Sequence, residues 1–363
     1  GGLGCETAKN LAMVGVGTID LVDMDIIEHT NLNRQILFME GNVGEPKADV
    51  AARRLRELNP IIEINSYHSS LERLDPEVYE KADVIVGGLD SIEARFNLNA
   101  QAIRFNKPHI DGGVNGYHGH VYTIFPKKNA CYECNPISVG ESDEMAACTV
   151  VGVPRKRVHC LFKANMEFQD KRGSDPNVKN EEHVQFLQNF ANNLVREHNF
   201  PPEFTKGEIV KILDRHEPGI ITINAIIASY QSHETLKILN WINGNEGLGE
   251  PVSSYQIINA MTMKLYSIEK QRNPDCRQCG NNVLREEISL SPSDLMSKLV
   301  DTLLARGYEI DPDMEPIFTV SDFNSVKILE TDETVEENEM RNLELITAAG
   351  FKRGEIFITL KIK

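Results

Sequence analysis

Two cysteine pairs, Cys131-Tyr-Glu-Cys134 and Cys276-Arg-Gln-Cys279, constrain this chain more than any other feature. Four thiolates at that spacing can close a tetrahedron around one Zn²⁺ only if two segments remote in sequence are brought together. Each C-x-x-C knuckle presents two sulfurs on one side of a tight turn. The alternative is a pair of reducible disulfides, which suits a secreted protein better than this one. Cys5, Cys148 and Cys160 stand outside the two pairs.

With 363 residues, 41% of them hydrophobic and 25% charged, the chain is long enough for two or three domains with sizeable cores. No apolar run approaches the ~18 residues that span a bilayer, and the N-terminus carries no signal-like segment. A cytoplasmic protein with reduced thiols and no membrane partner is therefore expected. The formal net charge of −16 argues against a nucleic-acid phosphate track and favours basic or neutral partners.

The opening Gly1-Gly2-Leu3-Gly4 reads as the second half of a glycine-rich strand-to-helix turn, with its strand expected before Gly1. Helical periodicity from Cys5 to Val14, a break at Gly15 and Gly17, and a buried parallel strand over Thr18 to Asp23 complete a βαβ beginning. Glycines such as Gly2 and Gly4 let backbone approach a phosphate, the helix N-terminus offers free N–H groups, and Asp23 sits where an acid would hold ribose hydroxyls. NAD enzymes, flavoproteins and nucleotide-activating enzymes all use this device.

The next segment narrows the choice. Asn31-Leu-Asn-Arg34-Gln35 follows the strand, and Gly44-Glu-Pro-Lys47 opens a helix running from Ala48 to Leu58. A dinucleotide pyrophosphate is served by backbone donors, whereas triphosphate transfer needs cations aimed at the oxygens where charge develops. Arg34 and Lys47 are assigned to phosphates on that ground, with a solvated basic face as the bland alternative. A further strand from Ala82 ends at Asp90-Ser91, at the carboxyl edge where ligands bind in parallel sheets. Asp90 is placed to carry Mg²⁺ there, with helix capping as the alternative.

Taken jointly, Gly-Gly-Leu-Gly-Cys-Glu, Asp23-Met-Asp25, Asn31-Leu-Asn-Arg34-Gln35, Gly44-x-Pro-Lys47, Leu89-Asp90-Ser91, Ile110-Asp-Gly-Gly113 and the two C-x-x-C pairs resemble the adenylating half of the ubiquitin-activating enzyme family. The likeness is to the catalytic subunits that activate modifiers of the Nedd8 and SUMO type, and it spans the whole chain. It implies a nucleotide site built from Gly2, Gly4, Asp23, Asp25, Asn31, Arg34, Gln35, Lys47 and Asp90, with ATP and Mg²⁺ as cofactors and a structural Zn²⁺. It also implies that Cys148, in Cys148-Thr149 with Pro154 following, takes the modifier as a thioester. Arg155, Lys156 and Arg157 nearby would favour the thiolate. Cys160, flanked by apolar residues at helical spacing, reads as core, and Cys5 as a small hydrophobe under the glycine turn.

The expected architecture is α/β. A Rossmann-like adenylation domain with a mostly parallel sheet would occupy 1–145 and 213–280, a helical catalytic-cysteine insert 146–212, and a C-terminal β-grasp (ubiquitin-fold) domain 283–363. In the last, a strand to Leu290, a helix from Ser291-Pro-Ser-Asp294 to Arg306 and a strand from Glu355 are expected. Met261 and Met263 read as core filler, the Asp111-Gly-Gly segment as a loop along the modifier's tail, and His118 and His120 as ordinary surface or core histidines. The resemblance implies a ubiquitin-like protein, a conjugating enzyme, and a second copy or related adenylation subunit as partners. The acidic run Glu330, Asp332, Glu333, Glu336, Glu337 and Glu339 could steer a basic helix. Competing readings are a sulfur-carrier adenylyltransferase without thioester transfer, and a non-catalytic subunit that would not need Arg34, Lys47 and Cys148 together.

Overall fold

The computed structural model describes residues 1–134, 157–172, 176–213, 220–321 and 326–363. Cys148 and its basic neighbours Arg155 and Lys156 lie outside the described residues. Helix α1 (Gly2–Val14) ends at Gly15, whose φ of 85° is the left-handed conformation that glycine adopts without a Cβ penalty. Strand β1 (Thr18–Val22) follows, and then α2 (Lys47–Leu58), entered through Pro46. Strand β1 pairs in parallel with β2 (Glu63–Tyr67), and their shared core is built by α1, α2 and the loop residues Ile27, Leu37 and Phe38.

A second sheet carries β3 (Ile85–Gly87), β4 (His109–Asn115), β5 (His118–Ile124), β6 (Tyr255–Asn259) and β7 (Lys264–Ile268), in that order. Only β3 and β4 run parallel in it; the other neighbours are antiparallel. The sheet is thus mixed rather than mostly parallel. The reason is local: β4 turns straight into β5 through Gly116 at φ 54°, and a connection that short can only reverse the chain. Between β3 and β4 lie α3 (Pro76–Lys81) and α4 (Ile92–Arg104).

The segment expected as an insert forms α5 (Arg157–Arg172), α6 (Glu181–Glu197) and α7 (Lys206–Leu213), which share a core of their own around Phe168, Leu187, Val195 and Ile209. Cys160 belongs to that core and is fully buried. The long α8 (Ile221–Ile242) then returns to pack on α1, β4 and β5.

The C-terminal unit is a five-stranded sheet in the order β10 (Val326–Ile328), β9 (Ile317–Ser321), β11 (Glu344–Ala349), β12 (Ile356–Ile362), β8 (Leu284–Leu290), with β12 and β8 parallel. Helix α9 (Lys298–Ala305) buries Leu299 and Leu303 against it. That helix starts later than Asp294, because Asp294 Oδ2 accepts the Ser291 N–H at 2.9 Å and Leu295 is drawn into a bridge with Thr334. The unit rests on the first half of the chain through Lys361 with Glu80 (3.2 Å), Asn342 with Glu77 (3.1 Å), and Arg104 with Thr359 (3.3 Å) and the Leu343 carbonyl.

Met261 and Met263, expected in a core, are instead 72% and 71% exposed on the turn into the edge strand β7. Their hydrophobicity is real, but an edge hairpin has no second layer over it. Among the described residues no helix is long and apolar enough to cross a membrane.

Candidate functional site

No described strand joins β1 to β3, and the opening between the two sheets takes in the length of both strands as well as their carboxyl edge. Gly2, Gly4, Asp23, Asp25, Asn31, Arg34, Gln35, Lys47 and Asp90 all line it. They come from the start of α1, the end of β1, the following 3₁₀ turn, the start of α2 and the loop after β3, so short local motifs converge on one carboxyl-edge opening.

Each side chain has a distinct local reason for its place. Asn31 Oδ1 accepts the Glu28 N–H at 3.0 Å and its carbonyl accepts the N–H groups of Arg34 and Gln35, so Asn31 shapes the turn that presents both. Arg34 is half-buried and donates to the Thr30 carbonyl at 2.6 Å. Lys47, the first residue of α2, is buried with its Nζ 2.7 Å from Asp25 Oδ2, so these two residues expected to serve one ligand hold each other. Gln35 is buried, and its Oε1 has no partner among the described residues. Ser91, not Asp90, caps α4, its hydroxyl accepting the Ala94 N–H at 3.1 Å. Asp90 is left exposed at the rim, with no hydrogen bond or ion pair among the described residues.

The glycine requirement is steric at Gly2: a Cβ there would lie 2.5 Å from Asn224 Nδ2 and 3.1 Å from the Arg34 carbonyl. Cys5 is buried beneath this turn, and burial pushes its thiol up.

Beneath the cleft floor lies a polar network that motif reading did not find. Gln231 of α8 donates to the carbonyls of Gly87 (2.7 Å) and Ile110 (3.3 Å) and accepts from Thr7 of α1 (3.2 Å). Arg95 of α4 is ion-paired with Asp111 and donates to the carbonyls of Gly112 (3.0 Å) and Leu89, the residue before Asp90. His120 completes the set, 2.9 Å from Asp111 Oδ2. Burial opposes ionisation of Asp111, but the Arg95 charge and the His120 hydrogen bond outweigh it and hold the carboxyl below its usual range. Asp111-Gly-Gly is therefore part of strand β4, with its acid fully buried, and not a loop. The available signal was polar residues on the apolar α8, Asn224, Gln231 and Thr235, all buried on one stripe.

The four paired cysteines meet as the knuckle spacing requires. Their sulfurs lie within 4.8 Å of one another, with Cys131–Cys276 at 3.6 Å, Cys131–Cys134 at 3.9 Å and Cys134–Cys279 at 3.3 Å. A disulfide needs ~2.05 Å, whereas tetrahedral Zn–S bonds of ~2.3 Å put sulfurs about 3.8 Å apart. The donor set fits a structural Zn²⁺. Hydrogen bonds from Cys131 and Cys134 hold the Cys279 thiol below its usual range, while the Cys131 thiol is pushed up.

Residues 1–278 match the ThiF family. The NEDD8-activating enzyme E1 catalytic subunit of Arabidopsis thaliana is 33% identical over 331 residues, covering 84% of this chain and 68% of that protein. Its Saccharomyces cerevisiae counterpart is 32% identical over 303 residues, covering 78% of this chain and 96% of that protein. The SUMO-activating enzyme subunit 2 of Dictyostelium discoideum is 35% identical over 170 residues, 46% of this chain and 25% of that one. Among solved structures, E. coli MccB with MccA-N7isoASN superposes with a TM-score of 0.52 at 23% identity, covering 77% of this chain and 65% of MccB, a likeness of fold alone.

Proposed function

We propose, on the premise that this chain belongs to the ThiF family and within it to the E1-type activating enzymes, that it activates the C-terminus of a ubiquitin-like protein with ATP. The observation that carries the proposal is the convergence of Arg34, Lys47 and Asp90 on one cleft that also holds the glycine turn of α1. A fold of this kind built only for a dinucleotide would not need that cationic pair.

In the first step the modifier's terminal carboxylate attacks the α-phosphorus of ATP; the new P–O bond gives an acyl-adenylate and pyrophosphate leaves. Lys47 exchanges Asp25 for phosphate oxygens, Arg34 neutralises the leaving charge, and Asn31 and Gln35 position the polyphosphate. The unpartnered Gln35 amide oxygen and the exposed Asp90 carboxylate suit a hydrated Mg²⁺ with its phosphates, which when bound supplies charge neutralisation. Asp23 at the end of β1 holds the ribose. In the second step a thiolate, assigned to Cys148, attacks the acyl carbon and AMP leaves, which traps the acyl group as a thioester before water reaches the anhydride.

The helices α5 to α7 would form the cysteine-bearing insert, and the C-terminal sheet with α9 a ubiquitin-fold-like module that recruits a conjugating enzyme. All six residues of its acidic run are exposed, as a steering surface requires. A cytoplasmic enzyme working with a second adenylation subunit completes the reading.

The test is incubation with ATP, Mg²⁺ and candidate ubiquitin-like proteins followed by non-reducing electrophoresis. A thiol-sensitive adduct that disappears in Cys148→Ala supports the reading. An adduct that survives Cys148→Ala but is lost in Cys160→Ala contradicts it.

A further inference from the structure

A small pocket of about 70 Å³ lies toward the C-terminal end of α4, where three parts of the chain meet; Gln101 lines both it and the cleft. Its wall is Ala100, Gln101 and Arg104 of α4, Arg277 and Gln278 of the second cysteine knuckle, and Arg285, Leu345 and Phe357 of the C-terminal unit. Three guanidinium groups line it and no carboxylate does. In a chain of net charge −16, with more acids than bases to distribute, such a grouping is unexpected on composition alone.

The hydrogen bonds of these arginines use neutral acceptors. Arg104 donates to Thr359 Oγ1 at 3.3 Å and to the Leu343 carbonyl. Arg285 donates to the Gln278 carbonyl at 3.0 Å and to its Oε1 at 2.8 Å, and stacks over Phe357 at 5.5 Å. Among the described residues, none of the three stands in an ion pair. Glu133 acts through space on Arg277 and Arg285 but is not on the wall, and Glu344, the acid felt by Arg104, is engaged with Arg341 at 3.1 Å. Burial and the like charge of Arg285 hold Arg104 down to about 10; the charges that favour Arg285, those of Glu133, Cys279 and Cys131, lie off the pocket wall.

Planar guanidinium forks from different elements around a pocket the size of one small ion are the arrangement that captures tetrahedral oxyanions, because each fork offers paired N–H donors. We propose that this pocket binds a single inorganic oxyanion of the phosphate class, and that the bound ion ties α4, the cysteine knuckle and the C-terminal unit together. Either free phosphate or the pyrophosphate that nucleotide activation releases offers the required chemistry. The proposal does not rest on the function assigned to the cleft.

The experiment is a titration of the full chain with sodium phosphate, and separately with pyrophosphate, against sodium chloride at matched ionic strength. Thermal unfolding and hydrogen exchange of β8 and β12 are the readouts. Phosphate is expected to raise the melting temperature saturably and to slow exchange in both strands, with apparent affinity at least tenfold weaker in Arg104→Gln and in Arg277→Gln. Arg277 is exposed, so that variant retains the fold if Arg104→Gln does not. Lys47→Met separates the two anion sites: it keeps the response if the pocket is the site. A response lost in Lys47→Met but intact in Arg277→Gln, or phosphate behaving as chloride does, overturns the proposal. Pyrophosphate binding tighter than phosphate would assign the ion to the reaction product, and equal or weaker binding to the free phosphate pool.

Discussion

Replacing Arg95 with methionine isolates the energetics of the cleft floor. The guanidinium serves three acceptors, Asp111 and the carbonyls of Gly112 and Leu89, and its loss leaves the fully buried Asp111 with His120 alone. An unpaired buried acceptor costs about 1–3 kcal/mol, and breaking a buried ion pair from one side about 3–5 kcal/mol. These overlap, so about 3–5 kcal/mol is expected in total. Trp241, the sole tryptophan, packs edge-on against Phe125 with ring centroids 5.9 Å apart and reports on unfolding of this half of the chain in urea. In Arg95→Met, Asp111 loses the charge that held its carboxyl low, so the deficit is greatest near pH 7. It shrinks on acidification, as the variant's folded state takes up a proton on the carboxyl that Arg95 no longer pairs, and vanishes for this group only below the depressed range of the parent's Asp111. Asp111→Asn combined with Arg95→Met should cost about 2 kcal/mol less than the two single changes summed. A deficit below about 1 kcal/mol for Arg95→Met, or additivity within ~0.5 kcal/mol, refutes the reasoning.

Two further outcomes follow from the same region. Burial holds His109 down to about 4 with neither ring nitrogen hydrogen-bonded among the described residues, so the folded state resists its protonation. Stability should therefore fall as pH drops from ~6.5 to ~4, by about 3 kcal/mol, and then level off for this group; His109→Leu should remove that part of the slope, measured by urea midpoints across pH. Gly112→Ala places a Cβ 2.4 Å from Gln231 Nε2 and should cost roughly 1–3 kcal/mol, with a smaller cost in a Gln231→Ala background. Equal costs in both backgrounds would show that Gln231 is not the obstacle.

The residues that meet at the cleft were legible because each belongs to a short motif in which local turn geometry sets the backbone. Asn31 ends a 3₁₀ turn and its carbonyl accepts the N–H groups of Arg34 and Gln35, and Lys47 follows a proline that starts its helix. The cysteine tetrad was legible because the metal chemistry demands the long-range contact. Arg95, Asn224 and Gln231 were not, since their partners lie on other elements and only packing reveals them. The mixed sheet follows from the two-residue turn Gly116-Tyr117 between β4 and β5, which apolar periodicity does not register. Met261 and Met263 show that side-chain type cannot say whether an edge hairpin is covered. The late start of α9 shows Asp294 closing a turn where the start of the helix was expected.

The central claim is that the cleft makes an acyl-adenylate independently of the sulfur that later receives the acyl group. Exchange of radiolabelled pyrophosphate into ATP, driven by a cognate ubiquitin-like protein, measures that step alone. The account predicts exchange that persists in Cys148→Ala and falls at least 100-fold in Arg34→Ala and in Lys47→Ala, a loss of about 2.7 kcal/mol or more of transition-state stabilisation. Exchange that needs Cys148 but neither cation would contradict it.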